Sequence, residues 1–442
     1  MSTLYAQDIT DAIRYSQNEI QGSARFRALS GAFGALGGDM SAVSLNPAGS
    51  AVFSQSHASF TLSNIDTSND TQYFNGFGAS NESNFDINQG GAVFVFSSNS
   101  KSPWRKLTLG IAYDKTNDFN DNWFVFGTNT NNQSIDFYFL NYADGKRLDE
   151  ISALPGESLD EAYTDNGRVY GYGNQQAFLG YESYILEPDA DDDANTLYTS
   201  NLANGTFDHD YTLASSGYNG KLTFNMAAQY EDNLYLGLNL NSHFLDYQRT
   251  TLLFEDNANP ASLVTAIEFE NTLTTTGTGF SFQLGGILKL SEEFRVGFSY
   301  DSPIWYTIQE ETTQYLGTDG DNGFIGINPQ VINVFPDYKL QTPAKLTGSL
   351  AYVFGQQGLI SFDYSRKDYS KTQFRPTSDP VFADENNYMS NILTSASTYR
   401  VGGEYKVKQF SFRGGYRFEE SPYKDGVTIG DLTGYSLGLG YN

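Results

Sequence analysis

The amino-acid sequence predicts an all-β fold: a transmembrane antiparallel β-barrel whose lumen holds a helical hatch, or plug, made from its own N-terminus. Three observations carry this. After about residue 50, strand-length runs alternate apolar and polar residues with period two. The connections between those runs alternate short and long, as they do in outer-membrane barrels. Before them, residues 22–53 form a stretch rich in small residues that does not alternate.

Residues 1–6 lack the basic and apolar regions of a secretory signal, but Leu4-Tyr5-Ala6 before Gln7 resembles the tail of one. They are expected to be a remnant of a signal peptide, followed by a plug over residues 7–50 and a barrel over 51–442. Ile9, Ala12 and Ile13 share one face of a short amphipathic helix that Asp8 or Thr10 can cap. In the plug, Phe26, Leu29, Phe33 and Leu36 recur at helical spacing, while Gly31, Gly34 and Gly37-Gly38 limit the segment to short turns. Asp39 can cap a last turn through Leu45. Asn46-Pro47-Ala48-Gly49 must then break it, because a residue before proline is pushed out of the helical region. That break reads as a hinge.

Strands are expected near 51–62, 90–96, 104–115, 221–230, 234–251, 278–290, 294–309, 344–354, 359–369, 396–407, 410–418 and 434–441, about twelve in all. Leu234, Leu236, Leu238 and Leu240 oppose Tyr235, Gly237, Asn239 and Asn241; Phe294, Val296 and Phe298 oppose Arg295, Gly297 and Ser299. In a membrane barrel the first set faces lipid and the second lines the lumen. Tyr113, Tyr230, Tyr300 and Phe418 stand at strand ends, where an interfacial girdle belongs. Residues 231–233, 291–293, 355–358 and 408–409 are tight turns; 117–219, 310–342, 370–395 and 419–433 are long loops. The plug then lies on the side of the tight turns.

The composition narrows the function. The chain has 442 residues, no cysteine and a formal charge of -26, which excludes a disulfide framework and disfavours nucleic acid as a partner. No run of 18 apolar residues exists, so no transmembrane helix is expected, and strands that alternate need none. The plug glycines lack the Lys-Ser/Thr of a phosphate loop. Gly434-Tyr435-Ser436-Leu437-Gly438 matches a nucleophile elbow in letters but sits inside an alternating strand, so Ser436 would be catalytic only beside a histidine and a carboxylate. His57, His209 and His243 lack metal-ligand spacing, and Asp189, Asp191 and Asp193 lack the glycine and glutamate of a calcium loop. No catalytic residue, metal or cofactor is expected. Arg295, Arg400, Arg413 and Arg417, with Asp363 and Glu404, fall on polar faces, where they pair across the lumen or present cations to a ligand carboxylate.

The run from Ala24 to Phe53, with Asn46-Pro47-Ala48, is similar to the N-terminal hatch of FadL-type outer-membrane transporters, in the form found in Bacteroidetes. Thr342-Pro343-Ala344-Lys345-Leu346, and the stretches 399–405 and 420–423, are similar to later parts of that family. The resemblance implies fourteen strands, so two are expected either to hide after Asp121 or to be missing as a last hairpin. It also implies passive uptake of long-chain fatty acids or similar hydrophobic molecules into a Gram-negative cell: binding against the hatch, hatch rearrangement, and sideways discharge into membrane lipid. Position assigns ligand contact to Phe26, Leu29, Phe33 and Leu36 in a greasy pocket of a monomeric barrel. Two alternatives stay open: a type IX secretion-associated barrel of the same family that binds proteins, and an outer-membrane lipase-like enzyme.

Overall fold

The structure, a computed structural model, describes residues 9–98 and 102–441. The expected signal remnant and the Asp8 cap lie outside them. Helices α1 (Ile9–Arg14), α2 (Ala24–Ala28) and α3 (Met40–Val43) come first, followed by a 3-10 turn over Pro47–Val52. Strands β1 (His57–Tyr73), β2 (Gly76–Ser97), β3 (Trp104–Asp118) and β4 (Asp121–Asn129) lead to helices α4 (Asp136–Ala143), α5 (Leu159–Tyr170) and α6 (Tyr172–Glu182). A small hairpin, β5 (Leu186–Pro188) and β6 (Tyr198–Ser200), precedes the long strands β7 (Phe207–Tyr230), β8 (Leu234–Asp256) and β9 (Val264–Lys289). Then come β10 (Phe294–Asp301), β11 (Trp305–Gly320) and the short β12 (Ile325–Ile327), β13 (Asn333–Val334) and β14 (Tyr338–Gln341). The chain continues through β15 (Lys345–Val353), β16 (Gly358–Asp368), β17 (Gln373–Arg375), helix α7 (Pro380–Ile392), β18 (Ser395–Val407), β19 (Phe410–Glu419) and β20 (Leu432–Tyr441).

At membrane depth the sheet runs β1-β2-β3-β7-β8-β9-β10-β15-β16-β18-β19-β20, each strand antiparallel to the next. Among the described residues no ladder joins β1 to β20. The alternation is polar side inward: Leu236 and Leu240 are each 45% exposed, while Asn239 and Asn241 are buried. Aromatic pairs mark both ends of the band, Trp104 with Tyr230 at the short-turn end and Tyr364 with Tyr399 at the other. No described helix is long and apolar enough to cross a membrane.

Several boundaries differ from the sequence reading. The first strand starts at His57, because residues 47–52 are taken by the 3-10 turn. Residues 63–89, unassigned by alternation, belong to the β1–β2 hairpin, whose outer half is mostly polar but exposes Phe77 and Phe85. The expected loop 117–219 contains β4, the start of β7 and a helical cap. The expected loop 370–395 contains α7. Strands β7 to β9 have 24, 23 and 26 residues, more than twice what a bilayer needs, so their upper halves stand outside it.

There the polarity inverts without a break in period. Higher on β8, Leu245 and Tyr247 are buried inside, and Asp246 and Gln248 face out. The polar-inward rule read from the sequence therefore holds only within the membrane band. Above it, α1 fills an apolar chamber: Ile9, Ile13 and Tyr15 pack with Leu245, Tyr306, Ile308 and Leu340 beneath a roof of Phe382 and Met389 from α7. A second apolar cluster holds α4, α5 and α6 against the upper ends of β7, β9 and β11.

Candidate functional site

Residues 22–53 lie inside the lumen because the wall is small where they touch it. A β-carbon on Gly402 would come 2.6 Å from Leu29, one on Gly297 2.3 Å from the Gly34 carbonyl oxygen, and one on Gly438 2.4 Å from Ala28. Gly237 and Gly285 make the same allowance for Pro47 and Asn46. Only glycine lets two backbones approach so closely.

Wall side chains then bind the plug backbone. Asp363 accepts from the amides of Phe33 and Gly34, both at 3.0 Å. Asn225 donates to the Pro47 carbonyl at 3.0 Å, Asn239 to Val43 at 2.8 Å and Gln283 to Ser44 at 2.9 Å. Asn46 is the central fastener: its amide donates to Gly34 at 2.7 Å and to Gly286 on β9 at 3.2 Å, and its oxygen accepts from Ala48 at 3.1 Å. The stretch Asn46-Pro47-Ala48-Gly49 is thus a chain break, as expected, and it is a clamped and fully buried one.

Glu404 on β18 is the main ionic link. It accepts from Arg25 of the plug at 2.8 Å and from Arg413 of β19 at 2.7 Å, with Lys406 at 3.7 Å. The four arginines singled out in the sequence separate here. Arg413 is held by Glu404, Arg295 donates to the Leu36 carbonyl at 3.1 Å, and Arg400 and Arg417 reach Glu419 only at 3.6 and 3.7 Å. Ser436 shares a hydrogen bond of 2.8 Å with Ser30, so its hydroxyl serves plug seating.

Two cavities border the plug from above. One, of about 140 Å³, is lined by Ile20, Phe26 and Leu45 but also by Lys221, Lys345, Lys367 and Arg400. The other, of about 590 Å³, shares Lys345, Lys367 and Arg400 and adds Arg417, Tyr369, Ile429 and Leu432. The space against the plug is therefore mixed and cationic, where the sequence reading expected a greasy pocket. Of the four predicted contact residues, Phe26 lines the first cavity, and Leu36 borders a separate pocket lined also by the 355–358 turn. Leu29 and Phe33 are fully buried and pack the plug on the wall. Nothing in the sequence singles out Lys221, Lys345 and Lys367; each occupies a polar phase of its strand, and only the fold brings them together.

The wall beside the first cavity is split. β2 pairs with β3 only from Gln89 to Ser97, while residues 76–87 of β2 pair with β1 alone. Above Asp114, β3 pairs only with β7. Side chains bridge the seam: Lys115 donates to Asp86 at 2.7 Å and to Asp118 at 2.8 Å, and Asn84 donates to Asp118 at 2.9 Å. The plug closes it from inside. Glu19 donates its amide to the Thr116 carbonyl at 2.9 Å, and Gln21 and Gly22 both bond Asn88. Burial raises the Glu19 carboxyl above its usual range. Outside the seam, Phe85 and Ile87 are 68% and 43% exposed, a surface suited to lipid.

A transmembrane antiparallel barrel with a lumen-filling plug and a lateral split defines the class as an outer-membrane transport barrel. The family profile for outer membrane protein transport protein (OMPP1/FadL/TodX) matches residues 193–442. The chain belongs to that family of outer-membrane transporters of hydrophobic compounds, in the outer membrane of Gram-negative bacteria. The fold is similar to the crystal structure of a Pseudomonas aeruginosa FadL homologue, at 12% identity and a TM-score of 0.52, covering 96% of this chain and 87% of that one. It is also similar to the Pseudomonas putida toluene transporter TodX, at 13% identity and a TM-score of 0.50, covering 97% and 90%. No curated protein matches the sequence.

Proposed function

We propose that this protein takes up hydrophobic small molecules, most simply long-chain fatty acids, by plug-gated binding and lateral release into the membrane. The observation that carries the reading is the β2–β3 seam, which backs directly onto the first cavity: Asp114, Lys115 and Thr116 belong to both. An acyl chain is driven from water by about 0.8 kcal/mol per methylene, so a route that ends in lipid suits it better than a wet pore. The apolar chamber now filled by Ile9, Ile13 and Tyr15 has the character of the chain site. Withdrawal of α1 would vacate it, and displacement of residues 19–22 would uncover the seam, with the clamped turn at Asn46 as the fixed point.

The test is uptake of labelled oleate into liposomes carrying the purified barrel. The expected result is entry well above that into protein-free liposomes; equal uptake in the two would remove the transport reading.

A further inference from the structure

Helix α1 carries charge into a chamber that is otherwise apolar. Asp11 and Arg14 pair with each other on the helix, and the Arg14 guanidinium lies over the Tyr247 ring at 4.5 Å. Tyr15, just after the helix, is fully buried against Phe119 and Tyr247. The wall that α1 meets holds a carboxyl of its own. Glu310 of β11 is 0% exposed; it stands beside Thr275 of β9, and Thr275 beside Tyr247 of β8, so the three form one row across the inner face. The Tyr338 hydroxyl of β14 donates to Glu310 Oε1 at 2.8 Å. Glu310 Oε2 is buried and, among the described residues, accepts no hydrogen bond.

The charged groups that face Glu310 are Asp11 and Arg14 from α1 and Arg249 from β8. The phenols of the chamber are Tyr15, Tyr247, Tyr306 and Tyr338, with Tyr369 and Tyr423 completing the cluster. An ionised carboxyl in this position is stripped of water and repelled by Asp11, and the two arginines offset only part of that cost. Burial first, and Asp11 second, push the Glu310 carboxyl up to about 8. When α1 withdraws, water enters the chamber and Asp11 leaves with the helix, so the carboxyl returns toward the ordinary carboxylate range. Seating of α1 therefore takes up a proton at neutral pH. The seated state keeps its full stability below the ordinary carboxylate range, loses it as pH rises toward 8, and loses no more above that.

Resting on the transport reading above, in which withdrawal of α1 vacates the chamber, we propose that Glu310 is a proton-binding latch: its protonated carboxyl holds α1 in place, and its ionisation opposite Asp11 releases the helix. Acid tightens the gate and mild alkali eases it.

The chain has no cysteine, so Ala12→Cys places a single thiol on the buried face of α1, where reaction with a water-soluble thiol reagent reports withdrawal of the helix. The full chain in lipid nanodiscs is labelled at pH 6, 7 and 8. Glu310→Gln in the same background is the reference, because dividing by its rate removes the pH dependence of the thiol itself. The ratio of the two rates is expected to rise about tenfold from pH 6 to pH 7 and less steeply from pH 7 to pH 8. Asp11→Asn, which removes the repelling charge, should level the ratio off at a lower pH. Heat-modifiable mobility checks that each barrel is intact. A ratio that stays flat from pH 6 to pH 8 overturns the latch and leaves hydrophobic transport standing. A thiol that reacts as fast as an exposed one at every pH overturns the seated helix and the latch together. A steep ratio in a protein that takes up no oleate upholds the latch and overturns the transport reading.

Discussion

Replacing Glu404 with alanine is expected to release the plug from its barrel without unfolding the barrel. The carboxylate is 1% exposed and joins Arg25 of the plug to Arg413 of the wall. Removal of one partner from a buried ionic cluster leaves the others uncompensated, a loss of about 3–5 kcal/mol. The low end of that range applies, because Arg25 is itself 31% exposed and partly screened. Among the described residues no second ion pair joins residues 22–53 to the wall, so the loss falls on the Arg25 end of the plug. Cells carrying Glu404→Ala should become sensitive to large hydrophobic antibiotics that the outer membrane normally excludes, while the purified protein keeps its heat-modifiable mobility. Unchanged sensitivity would mean that the link to Arg25 is incidental to plug seating.

The second large effect is expected at Asn46. Its side chain makes three hydrogen bonds of 3.2 Å or less inside the protein, and alanine can replace none of them. Two buried carbonyls and one amide would be left without that partner, at about 1 kcal/mol or more each. Asn46→Ala should therefore cost roughly 3 kcal/mol and loosen the 3-10 turn, exposing the 40–52 segment to added protease in detergent. Asn46→Asp tests the geometry separately, because it keeps the oxygen that caps Ala48 but loses both donors. If the turn stays as resistant as in wild type, the clamp is held by Asn225 and Asn239 instead.

The sequence made this break legible because a residue before proline leaves few backbone options, and Asn46 caps a turn wherever the chain goes next. Membrane-depth strands were legible for a similar reason: Leu234 to Leu240 alternate so regularly that only their direction was open. Above Ser242 the same strand keeps its period and swaps its faces, and period alone carries no information about depth. Residues 64–70 of β1 are Asn, Ile, Asp, Thr, Ser, Asn and Asp, nearly uniform in polarity, so nothing marked them as strand.

The site was less legible than the fold. Hydrophobic spacing identifies Leu29 and Phe33 as a buried face without saying what that face meets. It meets the glycine-lined wall. Lys221 and Lys367 lie 146 positions apart and share a cavity only because β7 and β16 both line one lumen. The seam is likewise a property of pairing: β2 is continuous in sequence and loses its neighbour only in space.

The seam is also where the account meets its most direct measurement. The natural chain contains no cysteine, so Asp86→Cys with Lys115→Cys provides a thiol pair across β2 and β3 on a clean background. Joined by a short cleavable thiol reagent, this variant should take up labelled oleate into liposomes no faster than protein-free controls, and cleavage should restore uptake. Full uptake through the closed seam would contradict lateral release at this place and send the route elsewhere through the barrel.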